Sequence, residues 1–238
     1  MIIAIDGPAG SGKSTIAKLV AARLGFTYLD TGAMYRAVAW RALENGVDMT
    51  EPLSEASLKA LGAIASEEEI RFVRRPGETQ ASQVFINDRD VSAEIRTPTV
   101  DKAVSPVSAQ EVVRAALVKQ QRKIGLACDT VMEGRDIGTV VFPEAELKVF
   151  LTACPEERAQ RRTIQNASRQ GLFFDEDVYE QTLASIISRD AYDSTRPTSP
   201  LKAAADSIEI DSTGMAIETV VKYVIDLVED IRGMPAEQ

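Results

Sequence analysis

The sequence predicts an α/β protein built on a mostly parallel sheet, and three observations carry that expectation. Short apolar runs at Ile2-Ile3-Ala4-Ile5, Thr130-Val131-Met132 and Leu147-Lys148-Val149-Phe150-Leu151 suit buried parallel strands. Apolar residues at helical spacing recur between and after them. The segment Gly7-Pro8-Ala9-Gly10-Ser11-Gly12-Lys13-Ser14 meets every fixed position of the G-x-x-x-x-G-K-[ST] phosphate loop. Such a loop needs a strand before it and a helix after it. The first run ends at Asp6, and Ile16, Leu19, Val20 and Leu24 mark a helix that Gly25 can end.

The chemistry of the loop follows from its residue types. Glycines let the backbone fold around an anion and aim successive N–H groups at its oxygens, and the next helix adds its positive end. Lys13 then reaches the β- and γ-phosphates, and the Ser14 hydroxyl can hold a magnesium ion. Gly7 to Thr15 form the expected nucleoside triphosphate-binding set, with Ser14 as the one metal ligand.

Further elements follow in order. Tyr28-Leu29-Asp30-Thr31-Gly32 reads as a short extended piece and a turn, before helices over 33–45, with Gly46 as the stop, and 54–66. Alternation at Ile70-Arg71-Phe72-Val73, a turn around Pro76-Gly77 and a strand-like Val84-Phe85-Ile86 before Asn87-Asp88 are hairpin signals. Residues 67–104 therefore read as a small inserted subdomain. A helix is expected over 107–125, with Arg114, Lys119, Arg122 and Lys123 on a basic face. Cys154-Pro155-Glu156-Glu157 opens another, carrying Arg158, Arg161, Arg162 and Arg169 before Gly171. A helix over 177–189, a last strand at 207–210 and a closing amphipathic helix from Ile217 complete the pattern.

Composition narrows the chemistry. At 238 residues the chain suits one domain with small insertions. No apolar run approaches the ~20 residues that span a bilayer, and no basic segment or signal-type apolar stretch precedes the first strand, so a cytoplasmic protein is expected. A formal net charge of -9 argues against general nucleic-acid binding. Among the basic residues 18 are arginine and 9 lysine, which suits bidentate holding of phosphate oxygens, although base composition of the genome gives the same ratio. Two cysteines, Cys128 and Cys154, suggest reduced thiols. There is no histidine, which removes Ser-His-Asp and Cys-His mechanisms and every His-ligated metal site. The chemistry must run on lysine, arginine, carboxylates, hydroxyls and bound metal.

Phosphate loops also serve switches and motors. The N-K-x-D motif of a GTPase and the L-S-G-G-Q signature of a transporter ATPase are both absent, whereas arginines cluster beyond the loop. Phosphoryl transfer is catalysed mainly by positioning and charge neutralisation, so a kinase acting on a phosphorylated acceptor needs several arginines and no histidine.

Four segments in order carry a specific resemblance: the loop from Asp6 to Thr15, Asp30-Thr31-Gly32-Ala33-Met34-Tyr35-Arg36, Glu133-Gly134-Arg135-Asp136-Ile137-Gly138-Thr139-Val140-Val141-Phe142-Pro143, and Arg189-Asp190-Ala191-Tyr192-Asp193-Ser194-Thr195-Arg196. Together they resemble the bacterial cytidylate kinases, over nearly the whole chain. The resemblance implies the three-layer P-loop kinase fold, with core 1–66, 105–154 and 173–238, an acceptor-binding α+β insertion at 67–104 and a helical lid at 155–172. It implies magnesium-dependent phosphorylation of CMP and dCMP by ATP.

Roles implied for matching positions follow. Arg36, Arg135 and Arg196 would hold the acceptor's 5′-phosphate. Ser105, Arg114 and Asp136 would read the base, since a carboxylate accepts from the exocyclic amine of cytosine and repels the carbonyl of uracil. Arg189 and Asp193 would contact the ribose. Arg158, Arg161 and Arg162 would close over the ATP phosphates, with Lys13 and Arg135 completing the catalytic set. Thr31 belongs to the acceptor side, and Asp30 orients that side or a metal-bound water. Plainer readings stand beside these: surface ion pairs for the arginines, a helix cap or turn for Ser105, a turn cap for Asp136, and an i,i+4 salt bridge for Arg189 and Asp193. Rival functions are a kinase of UMP or of a small metabolite such as shikimate, a nucleotide-dependent switch or regulatory binding module, and a nucleic-acid-binding ATPase, which the acidic charge disfavours. The expected partner is a small molecule, with no nucleic acid polymer and no membrane, and a monomer is expected because no large apolar stripe is evident.

Overall fold

The computed structural model describes residues 1–73, 78 and 83–233. Five parallel strands form the central sheet in the order β2 (Thr27–Asp30), β6 (Thr130–Gly134), β1 (Ile2–Asp6), β7 (Leu147–Thr152) and β8 (Ile208–Asp211). Register sets their carboxyl ends level: Asp6 lies opposite Gly134, Asp30 opposite Glu133, and Thr152 opposite Asp211. In an open parallel sheet those ends are where a ligand cleft forms.

Helices cover both faces. On one, α1 (Lys13–Leu24) and α8 (Ile217–Gly233) bury Ile16, Val20, Val220, Val224 and Val228 against Ile3, Ile5 and Val149. On the other, Ala4, Leu29 and Met132 meet Ile137, Val141 and Phe142. A further core joins α2 (Thr31–Glu44), α3 (Glu55–Glu67), α4 (Pro98–Ala109) and α5 (Glu111–Gly125) around Met34, Val38, Leu61, Val104 and Leu117. It also receives Ile70 and Ile86 from a small antiparallel sheet of β3 (Ile70–Val73), β4 (Gln83–Ile86) and β5 (Arg89–Asp90). α6 (Pro155–Gln170) and α7 (Glu176–Thr195) pack together beside the sheet. No helix among the described residues is long and apolar enough to cross a membrane.

Several elements differ from their sequence-based expectation. α2 starts at Thr31 with no intervening turn, because the Asp30 side chain caps it by accepting from Ala33 N at 2.9 Å. The helix expected over 107–125 is two helices, broken where Gln110 takes an extended conformation. α4, opened by Pro98, was missed and runs through residue 104. Its neighbour α5 has no single basic face: Arg114 is buried, whereas Lys119, Arg122 and Lys123 are exposed. α7 continues to Thr195, because no proline stops it before Pro197. The turn expected around Pro76-Gly77 and the side chain of Arg169 lie outside the described residues.

Two constraints fix the floor of the cleft. Gly7 has φ +148°, and a Cβ there would stand 2.0 Å from the carbonyl oxygen of Leu151 on β7. At the end of β1, both carboxylate oxygens of Asp6 accept backbone N–H groups, from Ile137 at 2.9 Å and Gly138 at 2.8 Å. These bonds tie the central strand to a single wide helical turn, Ile137–Val141. Burial is the main influence on Asp6 and pushes its pKa from the ordinary 3.8 up to about 6, against the two N–H groups that lower it.

Gly7→Ala should destabilise the chain by about 3 kcal/mol or more, since neither the strand carbonyl nor the left-handed backbone can yield, and thermal melting should show a drop of at least about 6 °C. For Asp6 the sign follows from proton linkage. The folded chain still binds this proton after the unfolded chain has released it, so this carboxyl's contribution to stability falls as pH rises from about 4 to about 6, by about 3 kcal/mol. The unfolding free energy of the native chain minus that of Asp6→Asn, followed by denaturant titration, should fall across that window. A difference that stays constant from pH 4 to 7 would refute the assignment.

Candidate active site

The phosphate loop runs from β1 into α1, with Gly12 as the left-handed residue (φ 89°) before the helix. Lys13 is buried and bends back over its own loop, donating from Nζ to the Pro8 carbonyl at 2.6 Å and to Ser11 Oγ at 3.2 Å. Burial, then the positive charge of Arg135, holds its pKa well below the ordinary lysine value. Ser14 Oγ donates to Glu133 Oε2 at 2.8 Å, while Glu133 Oε1 accepts from Tyr28 OH. The Glu133 carboxyl is raised above its usual range by burial and then by the nearby charge of Asp30. Thr31 Oγ1 donates to the Glu133 carbonyl at 2.7 Å, joining α2 to β6.

Ser11, Lys13, Ser14, Tyr28, Thr31 and Glu133 line a cleft of about 700 Å³ at the carboxyl ends of the strands. The same cleft carries arginines from separate elements: Arg36 on α2, Arg114 on α5, Arg135 after β6, and Arg189 and Arg196 on and just after α7. Arg161 and Arg162 of α6 reach the same space. The charge balance is local. Ten Lys and Arg side chains face this cleft against six Asp and Glu, inside a chain of net charge -9.

Asp193 is the buried counter-charge on the arginine side, with Arg135 Nε at 3.2 Å and Arg189 and Arg196 each at 3.8 Å. One carboxylate does not satisfy three guanidinium groups. Arg196 Nη2 and Arg189 Nε are buried with no hydrogen-bond partner. Burial, then the charge of Arg135, pulls the Arg189 pKa down to about 10; burial and the charge of Arg114 lower Arg196. Buried donors without acceptors are costly.

Next to them Arg114 and Asp136 form a buried ion pair, with the Arg114 guanidinium over the Tyr35 ring at 5.2 Å. Arg114 also donates to Ser199 Oγ at 2.9 Å and to the Ser108 carbonyl at 3.1 Å. Neither serine carries a sequence signal that would have placed it there. Ser105 does not line the cleft; its carbonyl accepts from Ser108 Oγ at 3.0 Å.

Other expected site residues lie off the cleft wall too. Gly7 and Pro8 sit behind the loop. Arg158 is buried and spent on structure: Nη1 donates to the Ala9 carbonyl at 3.0 Å, Nε to Ala153 at 2.8 Å, and Nη2 pairs with Asp190 at 2.7 Å. It holds the loop from behind, whereas Arg161 and Arg162 project inward. Arg161 is tied to the turn after β8, donating to the Ser212 carbonyl at 2.8 Å.

The donor set suits a magnesium ion bound together with phosphate oxygens and water. The Ser14 hydroxyl, Glu133 and Asp30 lie together, and no group of three or more His, Cys, Asp or Glu among the described residues could hold a metal alone.

Comparison with known proteins agrees with this geometry. The family model described as cytidylate kinase matches residues 3–230. The cytidylate kinase of Streptococcus suis (strain 05ZYH33) is 48% identical over 229 residues, covering 96% of each chain. That of Halalkalibacterium halodurans is 47% identical over 233 residues, 97% of this chain and 98% of the other. A bifunctional pantoate ligase/cytidylate kinase of Synechococcus elongatus is 47% identical over 98% of this chain, which spans 42% of that longer protein. With a phosphate loop opening into an arginine-lined cleft and a family match over nearly its whole length, this chain belongs to the cytidylate kinase family.

Proposed function

We propose that this chain is a phosphotransferase that moves the γ-phosphoryl group of ATP to CMP and dCMP, releasing ADP and CDP or dCDP. The observation that carries the reading is the pair of unsatisfied buried guanidinium donors on Arg189 and Arg196 within one cleft with Lys13. A lone triphosphate site does not need that second concentration of positive charge; two anionic substrates meeting head-on do.

In the reaction an oxygen of the acceptor's 5′-phosphate attacks Pγ, and the bond from Pγ to the β-phosphate oxygen breaks. The attacking oxygen is already ionised near neutral pH, so no general base is required and the missing histidine is no obstacle. Gly7 to Thr15 supply the ATP-binding loop, with Lys13 leaving Pro8 and Ser11 for the β- and γ-phosphates. Arg36, Arg135 and Arg196 take the acceptor phosphate, Arg189 and Asp193 the ribose, and Asp30 and Thr31 shape the acceptor side. Arg161 and Arg162 close over the transferring group; Arg158 acts from behind the loop. A magnesium ion held by the Ser14 hydroxyl, with Glu133 and Asp30 nearby, would supply further neutralisation of the triphosphate. Residues 67–104 serve as the acceptor-binding insertion and 155–172 as the lid, on a core of 1–66, 105–154 and 173–238.

Base selection falls to the Arg114–Asp136 pair, which offers an acceptor and donors side by side in a dry pocket. Cytosine presents the complementary amine and acceptors, and uracil places a carbonyl against the carboxylate. Ser105 enters through its hold on Ser108, beside Arg114 and Arg196. The net charge of -9 disfavours a nucleic acid partner, and the reading is of a cytoplasmic, monomeric enzyme with no membrane partner.

ADP release from ATP and magnesium, with CMP, dCMP, UMP, AMP, GMP and shikimate offered separately, tests the reading. Fast release is expected with CMP and dCMP alone; slow release indifferent to acceptor would favour a nucleotide switch and sink the kinase. Asp136→Asn should reduce the CMP-over-UMP ratio of kcat/KM by about tenfold or more. An unchanged ratio would remove Asp136 from base reading.

A further inference from the structure

Asp101, in the first turn of α4, is a residue that none of the roles above uses. Its carboxylate is shared by two arginines from different helices that line the cleft, Arg36 of α2 and Arg162 of α6. Oδ1 accepts from Arg36 Nη2, and Oδ2 accepts from Arg162 Nη2 at 3.1 Å. Arg36 is anchored on its other side by the Ile95 carbonyl at 3.0 Å. All three side chains are partly exposed, at 16% for Arg36, 30% for Asp101 and 29% for Arg162, so a ligand entering the cleft can reach the bridge.

A carboxylate with two oxygens on two guanidinium groups is a stand-in for a phosphate. Resting on the roles proposed above for Arg36 and Arg162, we propose that Asp101 couples the two substrates: it keeps Arg162 away from the donor phosphates until the acceptor's phosphate displaces it from Arg36. A phosphate dianion outcompetes a single carboxylate for Arg36 and repels that carboxylate once bound. Displacement frees Arg162 at the moment an acceptor is in place. A nucleoside without a phosphate has nothing to compete with. The consequence is suppression of wasteful transfer to water, in which ATP and water give ADP and inorganic phosphate.

The test is ADP release by the full chain and by Asp101→Asn, with no acceptor, with cytidine and with CMP. Partly exposed ion pairs are each worth about a two- to fivefold change in an equilibrium. Acceptor-independent release should therefore rise about two- to fivefold in the variant. KM for CMP should fall by a similar factor, a larger change than in kcat, because the fraction of Arg36 free to bind increases. Arg162→Ala in the Asp101→Asn background should abolish the extra acceptor-independent release; a mere loss of negative charge in the cleft would leave it. Asp101→Glu should restore the native ratio, and thermal melting checks that each variant is folded.

In the native chain, phosphite dianion, which can fill the Arg36 site without being joined to a nucleoside, should raise ADP release from ATP. It should do so less in Asp101→Asn. Native acceptor-independent release and KM in Asp101→Asn, or a higher KM for CMP, would overturn the proposal while leaving CMP-dependent turnover intact. Native turnover that CMP does not stimulate would instead overturn the kinase reading, and the coupling with it.

Discussion

Asp6 connects the two halves of the site. Its carboxylate stands at the end of the central strand, one residue before the phosphate loop, and takes the N–H groups of Ile137 and Gly138. The same strand end lies level with Gly134 through the parallel register. Arg135 and Asp136 lie between those two attachments, so their backbone is held relative to the loop by sheet bonds on one side and by a buried carboxylate on the other. Phosphoryl transfer needs donor and acceptor placed within a fraction of an ångström. This tie links the two placements through a dry, short connection.

Charge is the second constraint. A chain of net charge -9 concentrates positive side chains in one cleft, and repulsion among them must be contained while the cleft is empty. Containment is visible in the hydrogen bonds. Lys13 lies on its own loop, Arg161 is tied to Ser212, Arg36 and Arg162 share Asp101, and Asp193 faces three arginines at once. The arrangement around Asp193 is incomplete, since Arg189 Nε and Arg196 Nη2 are buried without a hydrogen-bond partner. Arginine suits this duty better than lysine, since it stays charged when burial and like charges would neutralise an ammonium. Lys13, the buried lysine of the loop, is pushed toward the neutral form by burial and then by the charge of Arg135.

Much of the fold was legible because its signals are local. The strands β1, β6, β7 and β8 and the helices α1, α3, α6 and α8 follow directly from apolar runs, periodicity, glycine stops and a proline start. The errors fell where a local signal competes with packing. Nothing local tells a helix over 107–125 to break at Gln110, and α4 is amphipathic only against a partner core. Asp30 looks like a turn residue until its side chain is seen accepting from Ala33 N. The wide turn at Ile137–Val141 closes on its own carbonyls, but its first two N–H groups, those of Ile137 and Gly138, bond to Asp6, a partner too far upstream for any window of sequence to contain.

The sequence by itself determined the phosphate loop, the parallel α/β class and the chemistry open to a chain without histidine, because each depends on residue type and short-range spacing. It also marked most of the arginines that line the cleft, through the motifs that carry them. Only the tertiary structure decided what each arginine faces. Arg158 and Arg162 stand four apart on one helix, yet one is buried on the carbonyls behind the loop and the other reaches a carboxylate across the cleft. Ser108, Ser199 and Asp101 joined the site for the same reason: a side chain's partner is set by packing between elements distant in sequence, and spacing along the chain does not encode that distance.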